Sequence, residues 1–329
     1  MATITPTIAG ARWGPRNWQI FDYMAHSIRD KDGNPCLILR HGGAGLSGNL
    51  TDNWQGSSNF NQVLVQLLAA TDVHWDIISV QTCQRRITDG SPTIRRAIKA
   101  GLLEGAADLQ RAIVAIKGQA HRVGNNSSYK IDPSKIAVGG FSFGGTQAAL
   151  SQIRAPIVGN GSQRTGRQAQ WETSGFDSRT LGTVLVSAQV DCRKISGVNY
   201  LSPTQLSGWA LTNLTDITEF DLVSDFVKDA MSLRAYFDNG DTQFYRPWFV
   251  TQEVTAGPHT YPLADPHDSI QVTDLVETMK KAGLRDGKDF GWDLWSTAGH
   301  AMDAVAANKV VKFLNGLLPV PIATGGKVG

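Results

Sequence analysis

Ile131-Asp132-Pro133-Ser134-Lys135-Ile136-Ala137-Val138-Gly139-Gly140-Phe141-Ser142-Phe143-Gly144-Gly145-Thr146-Gln147-Ala148-Ala149-Leu150 is the stretch that decides the fold. Ile136–Val138 is an apolar run of the kind buried as a strand. It ends in Gly140-x-Ser142-x-Gly144, and an alanine-rich helical stretch follows at once. Gly-x-Ser-x-Gly arises by chance in glycine-rich chains, and this one holds 34 glycines in 329 residues. The strand before it and the helix after it decide for a nucleophile elbow. Such a turn holds its serine in a strained conformation, and side chains at Gly140 or Gly144 would collide with neighbouring backbone. The helix that follows points its N-terminus at Ser142, where it favours developing negative charge.

Outward from the elbow, strands alternate with helices. Upstream, an amphipathic helix over 93–118 carries Ile98, Leu102, Leu109, Ile113 and Ile116 on one face. Before it come a strand at Trp75–Val80, a helix at 60–70 and a short continuous apolar strand, Pro35–Leu39, which runs into Arg40-His41-Gly42-Gly43-Ala44-Gly45. Residues 1–35 read as a leading segment with an edge hairpin. Downstream, 154–180 reads as loop and Thr183–Ala188 as a strand. Leu233–Phe237 reads as a late strand, a helix ends at Gly283, Trp292–Trp295 is a last strand, and a helix closes 301–317. Residues 192–230 break the alternation and are the candidate cap, and 246–267 reads as a second, irregular insertion near the site. The expectation is one α/β domain over 1–329, doubly wound, with a mostly parallel sheet covered on both faces.

Composition narrows the function. The net charge is +2 and no basic tract occurs, which argues against nucleic acid as partner. No apolar run reaches transmembrane length. Three cysteines, Cys36, Cys83 and Cys192, make no disulfide framework and read as buried thiols. The N-terminus lacks a basic-then-apolar signal, so the expected compartment is cytoplasmic. No Gly-Lys-Ser/Thr follows the elbow, so it is not a phosphate loop. His259, Asp265, His267 and Asp268 match no familiar metal spacing and read as a polar loop. No cofactor and no metal are expected.

A serine hydroxyl needs a base and a group that orients the base. Of seven histidines, His300 follows a short strand and a small-residue turn and precedes a helix, the kind of strand-end loop where open α/β sheets place their sites. It is the candidate base. Asp241, after the late strand, leads as the acid, with Asp265, Asp268, Asp191 and Asp238 as alternatives. The developing oxyanion needs preorganised donors. His41-Gly42-Gly43-Ala44-Gly45 offers unobstructed N–H groups after a strand, and the N–H of Phe143 is the other expected donor. Trp54, Trp171, Trp209 and Trp248 fall in loops or insertions, where they either line a pocket or pack the cap; Trp171 and Trp209 are the candidate substrate-binding residues.

Taken together, the strand–His-Gly-Gly stretch, Asp132-Pro133-Ser134-Lys135-Ile136-Ala137-Val138-Gly139-Gly140-Phe141-Ser142-Phe143-Gly144-Gly145, a later Asp and Gly299-His300 resemble the α/β-hydrolase superfamily over roughly 33–317. The resemblance implies an eight-stranded, mostly parallel sheet and a triad of Ser142, His300 and Asp241. It also implies oxyanion N–H groups from Gly43, Ala44 and Phe143. His-Gly-Gly is similar to carboxylesterases of the hormone-sensitive-lipase type, which usually carry a third glycine where this chain has Ala44. Gly-Phe-Ser-Phe-Gly-Gly is similar to prolyl-oligopeptidase-type hydrolases, but the 35 or so residues before the first clear strand hold no propeller. The expected function is a cofactor-independent serine esterase on a small or medium carboxylic ester. The alternatives are a peptidase or amidase with the same residues, and a non-catalytic binding protein on a hydrolase scaffold.

Overall fold

The elbow strand runs through the middle of the sheet. In the computed structural model the described residues are 5–43, 49–53, 62–70, 72–82, 103–159, 174–195, 198–199, 229–255, 259, 263, 267–295 and 302–319. Eight strands form one sheet: β1 (Ile8–Arg12), β2 (Ile20–Met24), β3 (Asn34–Arg40), β4 (Asp76–Val80), β5 (Ile131–Phe141), β6 (Thr183–Val186), β7 (Trp248–Glu253) and β8 (Phe290–Trp295). Their order is β1-β2-β4-β3-β5-β6-β7-β8. β1 pairs antiparallel with β2, as expected of an edge hairpin, and β2 pairs antiparallel with β4; the other pairings within this sheet are parallel.

Parallel strands need crossover helices, and those helices cover both faces. Hence β3 and β4 are buried along their whole lengths. Period-two alternation sends Leu37 and Leu39 to one face, and Cys36 and Ile38 to the other. The first face is covered by α1 (Gln62–Ala69) and by a C-terminal helix over Ala304–Gly316, which pack on each other. The second is covered by α2 (Gly105–Gly118), α3 (Phe143–Ile153), α4 (Leu233–Asp238) and α5 (Ile270–Lys281). The C-terminal helix, α6, is capped by Asp303, whose carboxylate accepts from the N–H of Ala306 at 2.7 Å.

Two sequence expectations are corrected. Leu233–Phe237 is helical, not a strand. Its buried residues, Leu233, Ala235 and Phe237, alternate as a strand's would, and periodicity alone does not separate such short apolar runs. Gly240, at φ +75°, sits just past the helix as its left-handed C-terminal residue. The missing strand lies inside 246–267: Trp248-Phe249-Val250-Thr251-Gln252-Glu253 is β7, between β6 and β8. Trp248 is therefore a core residue, fully buried and packed edge-on against Phe237 at 5.5 Å. In the cap candidate 192–230, residues 196–197 and 200–228 lie outside the described residues, as does the first part of the 93–118 helix. Cys36 and Cys192 are buried, and Cys83 lies outside the described residues. No helix among the described residues is long and apolar enough to cross a membrane.

Candidate active site

Ser142 joins β5 to α3 at φ +52° and ψ −127°, a backbone conformation that a non-glycine residue keeps only when its surroundings enforce it. The surroundings are backbone. A Cβ on Gly140 would strike the carbonyl of Gly144, and a Cβ on Gly144 would strike the carbonyls of Arg40 and His41. The Ser142 N–H donates to the carbonyl of Val186 at 2.8 Å, and its own carbonyl accepts from the N–H of Thr146 at 3.1 Å. Phe143 opens α3, at the positive end of the helix dipole.

The loop after β3 lies against the elbow. A Cβ on Gly42 would sit 3.4 Å from Cβ of Ser142, and Gly43 follows at φ +96°. His41 and Arg40 pin this loop from below. Arg40, fully buried, donates from Nε to Thr82 Oγ1 at 2.8 Å and to Gln147 Oε1 at 2.9 Å, and from Nη1 to the His41 carbonyl at 3.1 Å. Burial, with Arg40 adding to it, pushes the His41 pKa down to about 3. A neutral imidazole donates from one nitrogen only. With Nδ1–H donating to the Gly42 carbonyl at 2.8 Å, Nε2 becomes an acceptor for the Gln81 amide, also at 2.8 Å, with that amide turned to present its NH₂. His41 thus braces the glycine turn and does not titrate near neutral pH.

A different histidine reaches the serine. His267 Nε2 lies 2.9 Å from Ser142 Oγ, and its ring stacks on Phe141 with centroids 5.8 Å apart. His267 is held from both sides of its loop. Gln252 on β7 donates from Nε2 to the His267 carbonyl. The Thr255 N–H donates to Ser269 Oγ at 3.1 Å, and the Ser269 N–H donates back to Thr255 Oγ1 at 2.8 Å. Asp268, beside it, is buried and accepts from the Ile270 N–H at 2.9 Å, with His259 Nδ1 2.7 Å from its carboxylate.

Of the residues singled out from sequence, Ser142, Gly43 and Phe143 come together at the carboxyl edge of the sheet. Asp241 does not join them. It shares a pocket with Ile153, Arg154 and Tyr236 at the C-terminal end of α3, about 18 Å along the helix from Ser142. The expectation failed because it took 233–237 for a strand. Asp191 and Asp238 are both engaged by Arg193: its Nη2 lies 2.7 Å from each carboxylate. His300, Ala44, Asp265, Trp54, Trp171 and Trp209 lie outside the described residues. His267 had a signal in the sequence: with 248–253 recognised as a strand, Asp265-Pro266-His267-Asp268 falls between a strand end and a helix start, as His300 does. No grouping of metal-ligating side chains occurs among the described residues.

No family model matches the chain, and no curated protein matches it. Solved structures do. A truncated carbohydrate esterase from gut microbiota aligns at TM-score 0.60 and 14% identity over 94% of each chain. A thermophilic esterase, Est2 of the Planctomycetes species Thermogutta terrifontis, aligns in its butyrate-bound form at TM-score 0.52 and 14% identity, over 91% of this chain and 88% of that one. Thermogutta terrifontis esterase 2 phosphonylated by sarin aligns at TM-score 0.54 and 15% identity, over 91% and 88%. With the strand order, the strained serine between β5 and α3, and this likeness, the chain has the α/β-hydrolase fold.

Proposed function

We propose that this protein is a serine hydrolase that cleaves carboxylic esters through an acyl-enzyme on Ser142. The observation that carries the reading is the contact of 2.9 Å between Ser142 Oγ and an imidazole nitrogen of His267, at a serine held in elbow geometry. Ser142 Oγ attacks the ester carbonyl carbon while its proton passes to His267 Nε2. The carbonyl oxygen, now anionic, is proposed to be met by the N–H groups of Phe143, Gly43 and Ala44, with the α3 dipole adding to them. The imidazolium gives its proton to the departing alkoxide, leaving an acyl group on Oγ. Water, deprotonated by the same imidazole, then attacks the acyl carbon; the imidazolium returns that proton to Ser142 Oγ as the acid leaves, which restores the free hydroxyl and the neutral imidazole. Ester cleavage fits the solved neighbours described as esterases, one of them bound to butyrate.

A second reading gives the base to His300, on one observation: β8 ends at Trp295, parallel to β7 and on the same edge of the sheet, five residues before it. In either case the orienting carboxylate is sought between β7 and α5 in the sequence, at Asp265 or Asp268, and not at Asp241. Trp171 and Trp209 are proposed to line the acyl or alcohol site.

Turnover of a chromogenic 4-nitrophenyl ester series by the wild type and by Ser142→Ala, His267→Ala and His300→Ala tests this. Loss of turnover in Ser142→Ala is expected, and the histidine variant with the larger fall in kcat names the base. Unchanged turnover in Ser142→Ala overturns the mechanism. Matched anilides separate an esterase from an amidase: the esterase leaves them uncleaved.

A further inference from the structure

We infer that Gln252 is a positioning residue for the nucleophile, acting through His267; this rests on Ser142 being the nucleophile. Sheet register sets the geometry. Phe141 on β5 pairs with Val186 on β6, and Val186 with Thr251 on β7. Ser142 and Gln252 are each one residue beyond that row, so they stand level at the carboxyl edge, about 10 Å apart across two strand spacings. His267 bridges that gap. Its carbonyl takes the Gln252 amide, and its ring reaches Ser142 Oγ at 2.9 Å.

Gln252 is an unusual residue to find there. It is fully buried, on the same face of β7 as the core residues Trp248 and Val250. Its Oε1 has no partner among the described residues. A buried amide with one half unused is costly, and an apolar side chain would avoid that cost. The half it does use fixes the backbone at the residue whose ring touches the nucleophile. The Thr255–Ser269 pair joins the residues after β7 to those before α5, but those two bonds involve neither the carbonyl nor the ring of His267. Gln252 ties the His267 backbone to β7, while the ring of His267 lies against Phe141 and Ser142 at the end of β5.

Gln252→Met keeps the length and removes the donor; Gln252→Glu keeps the shape and sets an acceptor against the His267 carbonyl, and stands in if the first variant does not fold. Two readouts go beyond stability. The first is steady-state kinetics on a 4-nitrophenyl ester: kcat is expected to fall at least tenfold with KM within about twofold. The second is the imidazole ¹⁵N spectrum, with the His267 resonance assigned by its loss in His267→Gln. Ser142→Ala should move the Nε2 resonance, and Gln252→Met should move it the same way with Ser142 intact. A folded variant with kcat within twofold of wild type and an unmoved resonance overturns the inference. A wild type that a fluorophosphonate does not label overturns the reading of Ser142 instead, so the two failures are told apart.

Discussion

The elbow and the histidine loop meet at one oxygen atom, yet they are held by opposite means. Around Ser142 the restraint is steric: glycines at 140 and 144 let backbone close on backbone, and the serine is left with φ +52°. Around His267 the restraint is a set of polar bonds from Gln252, Thr255 and Ser269 across a loop. Steric restraint is stiff and fails wholesale when an atom is added. Hydrogen-bonded restraint yields piece by piece, at about 1 kcal/mol for each bond. Ser142 is thus fixed by folding itself, while the His267 imidazole is held by a few side chains.

That contrast is open to attack. His267→Ala should lower kcat by about 10²–10⁴-fold while leaving the unfolding midpoint nearly unchanged, because a half-buried loop imidazole is removed. A small loss measured by steady-state kinetics would move the base to His300. Gly144→Ala should do the reverse. Its methyl group meets the carbonyls of Arg40 and His41, so a destabilisation of about 3 kcal/mol in denaturant titration is expected, with activity lost alongside the fold.

The elbow side also carries a pH signature. His41 is neutral when folded, with its pKa pushed down to about 3, while unfolding returns it to the ordinary value of about 6.5. Between those values the unfolded chain binds the extra proton, so stability rises with pH. The His41 contribution is complete above about pH 6.5 and is lost at up to about 1.4 kcal/mol per pH unit as the pH falls toward 3. Stability curves of His41→Gln against the wild type should lack that slope. The smallest effect belongs to Asp241→Asn. At the far end of α3 it should change kcat by less than about twofold and stability by less than about 0.5 kcal/mol.

The steric half of the site was legible in the sequence because glycine spacing is a local property. Gly140-x-Ser142-x-Gly144 between an apolar run and an alanine-rich stretch fixes strand, turn and helix within twenty residues. The alternation of β3, α1, β4 and α2 was legible for the same reason. The polar half was not, because its bonds join residues that only the sheet brings level. Gln252 and Ser142 are 110 positions apart, and what aligns them is register through Val186. Two short runs are ambiguous in sequence. Leu233–Phe237 alternates in burial yet forms a helix, and Trp248–Glu253, read from sequence as part of an irregular insertion over 246–267, forms a core strand that ends in Thr251, Gln252 and Glu253. With 233–237 taken as a strand, Asp241 stands at a strand end; with 248–253 as the strand, it does not.

Ser142 is proposed to be an activated nucleophile in the folded chain. Fluorophosphonate labelling followed by peptide mass spectrometry tests it most directly. One adduct per chain is expected, on the peptide containing Ser142, and none after denaturation or in Ser142→Ala. A folded protein that takes no adduct, or takes it on another serine, would contradict the account.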